Sequence, residues 1–163
     1  MATTNQDLLR QFDRGLRVQV TLILAPDGSS ILLDRWLAHC PVPRARRALT
    51  PSDNAPDRFL SGLLTVVRPL LTRTPAIKLS GETHVLDAIV ELLNALLAIE
   101  HDFALVLENY EAIATPDIHA AVRLIVDYPP PQMHLYLVSE SVPPIPLARL
   151  RVRRQLIEID MRS

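Results

Sequence analysis

Three short apolar runs set the tightest limit on what this chain can fold into: Val20-Thr21-Leu22-Ile23-Leu24, Phe103-Ala104-Leu105-Val106-Leu107, and Met133 to Val138. Each is rich in aliphatic and β-branched residues and lacks the polar alternation of a half-exposed strand. A strand of this kind must be covered on both faces, as the central strands of a parallel sheet are. The stretches between them have apolar residues at helical spacing instead. Residues 5–16 place Leu8, Leu9, Phe12 and Leu16 on one side. A segment opened by Ser29 and Ser30 and running to about Ala38 carries Ile31, Leu32, Leu33, Trp36 and Leu37. Further helices are predicted from about Ala55 to Leu71, with Ser52-Asp53-Asn54 offering its caps, from about Glu82 to Ile99, and over 116–127. Two weaker strands are predicted at Arg44–Leu49 and Gln155–Ile159; the arginines of the first assign it to a sheet edge. Strands alternating with helices, joined by right-handed crossovers, give an α/β fold. The expectation is a three-layer, P-loop NTPase-like architecture: a parallel sheet of about five strands with helices on both faces.

A chain of 163 residues suits a single domain over 1–163. Prolines cluster at 41–56, 129–131 and 143–146, as loops between elements and not as a linker. The formal net charge of −1 gives no global attraction to nucleic acid or to an anionic membrane. No apolar run approaches a membrane span, and the polar, acid-bearing start does not read as a signal peptide, so the expected location is cytoplasmic. The single cysteine, Cys40, excludes an internal disulfide and reads as a small hydrophobe near a helix end. His39, His84, His101, His119 and His134 are scattered without metal-ligand spacing, so no metal site is expected from them. Lys78 is the only lysine among 17 basic residues, which restricts any lysine chemistry to one inter-helix loop.

Ligands of such sheets bind at the carboxyl ends of the strands. This selects Asp27 to Ser30, Glu108-Asn109 and Ser139-Glu140. A strand, a tight glycine turn and a helix opening with hydroxyls is the layout of a phosphate-binding loop. That chemistry needs backbone N–H groups around the phosphates, a lysine on the β/γ-phosphates and a Ser or Thr on magnesium. A later buried strand ending in an acid supplies the second metal-holding group.

Three stretches carry a specific resemblance. LILAPDGSSILLDRWLA, PSDNAPDRFLSGLL and the long segment ELLNALLAIEHDFALVLENYEAIATPDIHAAVRLIVDYPPPQMHLYLVSESVPPIPLARLRVRRQLIEI resemble the ATPase domain of the MalT-related signal-transduction ATPases (STAND), the large LuxR-type transcriptional regulators. The resemblance implies nucleotide-binding positions at Pro26, Gly28, Ser29, Ser30, Glu108, Asn109 and Ser139. The sequence departs from the family at three of these places. The family loop reads Ala-Pro-x-Gly-x-Gly-Lys-Thr-Thr, whereas here it is Ala25-Pro26-Asp27-Gly28-Ser29-Ser30. Aligned from Trp36, Gly28 falls on the second glycine, Ser29 on the lysine and Ser30 on the magnesium-binding threonine, with two loop residues missing. Two aspartates after the acid strand become Glu108 and Asn109, and a Ser-Arg pair becomes Ser139-Glu140. Losing a cation and gaining an anion beside a polyphosphate should each cost about 1–3 kcal/mol. Read without the resemblance, Gly28-Ser29-Ser30 is only a strand-to-helix turn with an N-cap, and Glu108-Asn109 a strand end in solvent.

The expectation is therefore a vestigial site, with no catalytic residues, no cofactor and no ATP hydrolysis. The function expected is a non-catalytic regulatory module acting in signalling or transcription control through a protein partner or self-association. The alternatives are a residual ATP/ADP-binding switch, in which Ser30 and Glu108 would hold magnesium, and a piece of a longer ATP-dependent transcriptional regulator. Nothing reads as the family's winged-helix, helical-repeat or LuxR-type DNA-binding parts. Arg149, Arg151, Arg153 and Arg154 alternate as on a strand edge and are expected to face solvent or a partner, with no direct nucleic acid contact and no membrane.

Overall fold

A computed structural model of the chain describes residues 4–28, 30–72, 75, 77 and 84–162. The expectations placed on Ser29, on Lys78 and on a helix start at Glu82 lie outside the described residues. The elements follow in the order α1 (Asn5–Arg14), β1 (Val20–Leu24), α2 (Ile31–Ala38), β2 (Arg44–Ala48), α3 (Pro56–Val67), α4 (Val85–Leu97), β3 (Phe103–Glu108), α5 (Pro116–Asp127), β4 (Met133–Ser139), α6 (Ala148–Val152) and β5 (Leu156–Asp160). The five strands form one sheet in the order β2-β3-β4-β1-β5, and every pairing is parallel. The fold is the three-layer α/β arrangement that the apolar runs dictate. The arginine-bearing β2 lies at one edge, as its composition requires, and β5 at the other.

Side chains alternate across the sheet and so divide the core in two. Val20, Leu22, Leu24, Leu105, Leu107, Leu135 and Leu137 pack with α3, α4, α5 and α6. Ile23, Ala104, Val106, Tyr136, Val138 and Ile159 pack with Phe12 of α1 and with Leu33, Trp36 and Leu37 of α2. Every residue of β1, β3 and β4 is buried. Each fully buried Leu, Ile or Phe contributes about 1.5–3 kcal/mol relative to exposure, so these strands are the most expensive part of the fold to disturb. Trp36 is a core residue, and its indole Nε1 donates to Asp13 at 2.7 Å, tying α1 to α2. Cys40 is half-buried against the same cluster, and burial raises its thiol pKa.

Two expectations need correction. Arg149 and Arg151 lie in the short helix α6, and Arg153 and Arg154 in the turn after it, not on a strand edge. Leu150, anchored among the buried residues on the α3–α6 side, fixes that turn of helix. The predicted caps at Ser52-Asp53-Asn54 do not cap α3, whose preceding residue, Ala55, offers no side chain; Pro56 pre-sets the first helical turn instead. Asp53 caps its own 3-10 turn by accepting from the Thr50 amide at 2.8 Å. Asn54 serves the carboxyl edge of the sheet, bonding to Ala112, Ala114 and Thr115.

Candidate functional site

The turn after β1 is built from left-handed backbone. Asp27 has φ 58° and Gly28 φ 68°. An aspartate tolerates this conformation because its short side chain can bond locally, and a glycine adopts it without steric cost. The Gly28 amide donates back to Ala25 O at 3.0 Å, closing the turn on itself. Ser30 is the N-cap of α2: its Oγ accepts from the Leu33 amide at 3.2 Å. The hydroxyl at the magnesium-type position is therefore engaged in helix capping.

The neighbouring strand ends converge on this turn. The Asn109 amide donates to Gly28 O at 3.0 Å. Asn109 has φ 57°, and its side-chain amide, oriented to satisfy both partners, donates to the carbonyls of Asp27 and Gly28 at 3.1 Å each. Ser139 is buried at the end of β4, where its carbonyl accepts from the Ala25 amide at 2.9 Å. The structure thus brings Pro26, Gly28, Ser30, Glu108, Asn109 and Ser139 to one carboxyl edge; Ser29 lies outside the described residues.

Glu108 departs from the solvent-facing strand end expected of it. It is only 3% exposed, on the sheet face covered by α2. Its carboxylate is taken by Arg46 of β2: Nη2 donates to Oε2 at 3.0 Å, and Nε donates to Oε1. The same guanidinium also pairs with Asp34 of α2. The Glu108 carboxylate, aided by Asp34, holds the Arg46 guanidinium protonated even more firmly than usual. One arginine thus joins α2, β2 and β3 at the carboxyl edge of the sheet. Sequence reasoning missed Arg46 because three arginines in an edge strand look like solvent-facing charge. Its neighbour Arg47 points to the other face and donates to the fully buried Asp53 at 3.0 Å.

Glu111 is the second residue that sequence reasoning missed. It lies in the 3-10 turn Tyr110–Ala112, and its Oε1 accepts from the Glu140 amide at 2.7 Å. Its carboxylate lies against Gly28, where a Cβ would come within 2.7 Å of the carboxyl carbon. Tyr110, buried, anchors this turn, with its hydroxyl 2.8 Å from His119 Nδ1. Asn54 braces it from the far side: its amide donates to Ala112 O at 2.8 Å, and its carbonyl accepts from the Ala114 and Thr115 amides at 2.7 and 3.0 Å.

These residues do not fit the Mg-nucleotide that the resemblance implies. The acid is neutralised by arginine, the hydroxyl caps its helix, and a carboxylate rests on the glycine turn. Among the described residues, no group of three or more His, Cys, Asp or Glu is placed to hold a metal ion. Also among them, no helix is long and apolar enough to cross a membrane. A groove of about 620 Å³ opens on the other flank of α2, between it and α1, and none of the carboxyl-edge residues lines it.

No family model matches the chain. Curated proteins do. The HTH-type transcriptional regulator MalT of Yersinia enterocolitica is 29% identical over 152 residues, covering 89% of this chain and 17% of that regulator. MalT of Cronobacter sakazakii is 27% identical, and MalT of Serratia proteamaculans 29% identical, each over 159 residues, 93% of this chain and 18% of the regulator. The chain spans less than a fifth of the length of these relatives. The chain is similar to these MalT transcriptional regulators along about nine-tenths of its own length.

Proposed function

We propose that this domain is a non-catalytic regulatory module, related to the ATPase part of MalT-type regulators, that acts through protein contact in signalling or transcription control. The observation that carries the proposal is the Asp34–Arg46–Glu108 cluster. A metal-nucleotide site needs the acid at the strand end free to face a cation. Here that acid already has one, supplied by the protein and fixed between three elements. The relation to regulators supports a regulatory role over a metabolic one. The missing lysine and the shortened loop add to the case, because a β/γ-phosphate site draws on a lysine and a full-length glycine loop.

Isothermal titration calorimetry with Mg-ATP and with Mg-ADP tests the reading. No saturable heat is expected at micromolar nucleotide. A micromolar dissociation constant for either would replace it with a residual switch. The contact role is tested by multi-angle light scattering over a concentration series, where self-association is expected; a monomer throughout would remove the homotypic form of the proposal.

A further inference from the structure

Resting on that reading, we propose that the Glu111 carboxylate is a built-in anion that occupies the phosphate subsite of the β1–α2 turn and excludes a phosphate-bearing ligand. Four observations support this. The carboxylate sits on the open Cα face of Gly28, the place in a strand–turn–helix unit where the backbone admits close approach of an anion. It accepts a backbone N–H, that of Glu140, at 2.7 Å, the type of donor that an anion cradle presents. It is not a loose side chain reaching across: Tyr110 holds its turn to the core and Asn54 braces the following carbonyl. Finally, Asn109 clamps the carbonyls of Asp27 and Gly28 from the same strand end, keeping the turn in the shape that receives the carboxylate.

Glu140 contributes the backbone amide that seats Glu111, and its own side chain adds negative charge at the same strand end. Exclusion is enforced twice, by occupied space and by like charge.

The test uses the full chain and inorganic pyrophosphate as probe. Titration is followed by phosphorus NMR for affinity and by amide proton–nitrogen spectra for location. The wild-type protein is expected to bind pyrophosphate no tighter than the millimolar range. Glu111→Ala is expected to tighten binding by about tenfold or more, because removal of a like charge in close contact relieves a repulsion of that order. The amides of Gly28 and Glu140 should be among those that move on titration. A folded Glu111→Ala protein that binds no more tightly than wild type, or whose Gly28 and Glu140 amides stay still, overturns the proposal. Should that variant fail to fold, Glu111→Gln keeps the shape and removes the charge. A gain of a few-fold over wild type then supports the proposal, and no gain overturns it. These outcomes are separate from those of the nucleotide titration: micromolar Mg-ATP binding by the wild-type chain sinks the regulatory reading, whereas a silent Glu111 variant sinks only the occupied-subsite inference.

Discussion

Replacing Arg46 by methionine tests whether the carboxyl edge is a structural joint. The aliphatic stem is kept while the charge is lost, leaving Glu108, whose side chain is 4% exposed, without its cation. Removing one partner of a buried pair costs about 3–5 kcal/mol, because the remaining charge is stranded. The Arg46 side chain is itself 38% exposed, so water can take over part of its role. This solvent screening lowers the expected loss to about 2–3 kcal/mol. With a urea slope of about 2 kcal/mol/M, the unfolding midpoint should fall by roughly 1–1.5 M. The double variant Arg46→Met with Glu108→Gln removes the stranded charge and should recover all but about 1 kcal/mol. Asp34→Ala should change stability by less than about 0.5 kcal/mol, because that carboxylate is half-exposed. Urea unfolding followed by far-UV circular dichroism reads all four proteins. A loss below about 0.5 kcal/mol for Arg46→Met would refute the reasoning. So would a double variant no more stable than the single one.

Four further outcomes follow from the geometry. Asn54→Ala should lower stability by about 2–3 kcal/mol, since it leaves the Ala112 carbonyl and the Ala114 and Thr115 amides without their partner; a thermal midpoint equal to wild type would contradict that. Gly28→Ala should cost about 1–3 kcal/mol through its φ of +68° and contact with Glu111, and combining it with Glu111→Ala should return only the contact part, as unfolding of the two variants would reveal. Burial raises the Cys40 thiol pKa, so alkylation by iodoacetamide at pH 8 should be slow in the folded protein and quicken on unfolding; equal rates would place the thiol in solvent. Burial lowers the His119 pKa, so the unfolded chain takes up a proton first as pH falls below about 6.5, and stability should decline between there and the depressed folded value. Urea midpoints from pH 7.5 to pH 5 should show a steeper decline in wild type than in His119→Gln.

The fold was legible because its strongest signals are local. Val20–Leu24 and Pro116–Asp127 have the bounds that their patterns mark, and β3 and β4 each run one residue past theirs. The edge position of β2 followed from its charge, since Arg44, Arg46 and Arg47 could not all be covered between two helical layers. The stretch around α6 was misread because alternation of arginines over so short a span fits a strand edge and a single helical turn equally well. The deciding term there is tertiary: Leu150 turns inward and fixes the helix. Asn54 shows the same limit at a finer scale. A residue of high capping propensity before a proline-initiated helix reads as a cap, yet its amide is spent on a turn some 60 residues away.

The site was only half legible for a related reason. A turn after β1 without lysine and the Glu108-Asn109 pair after β3 are visible residue by residue, but the pairing of their charges lies between elements. A retained buried carboxylate still has to meet a counter-charge, and sheet geometry limits where that charge can come from. Glu108 faces the α1/α2 side of the sheet, with the alternate residues Ala104 and Val106 of its strand. Register sets Ala48 of β2 beside Glu108, so Arg44 and Arg46 share its face while Ala45 and Arg47 take the other. Arg46, two residues back along a parallel neighbour, is therefore the nearest cation that alternation permits, and Asp34 on the covering helix completes the cluster. Arg47 obeys the same rule on the opposite face, where it meets the buried Asp53. Arg46 and Arg47 of this edge strand are thus each matched to an acid on its own face of the sheet. An acid buried at the end of a central strand should therefore be matched by a cation on the adjacent strand, at a position of the same parity.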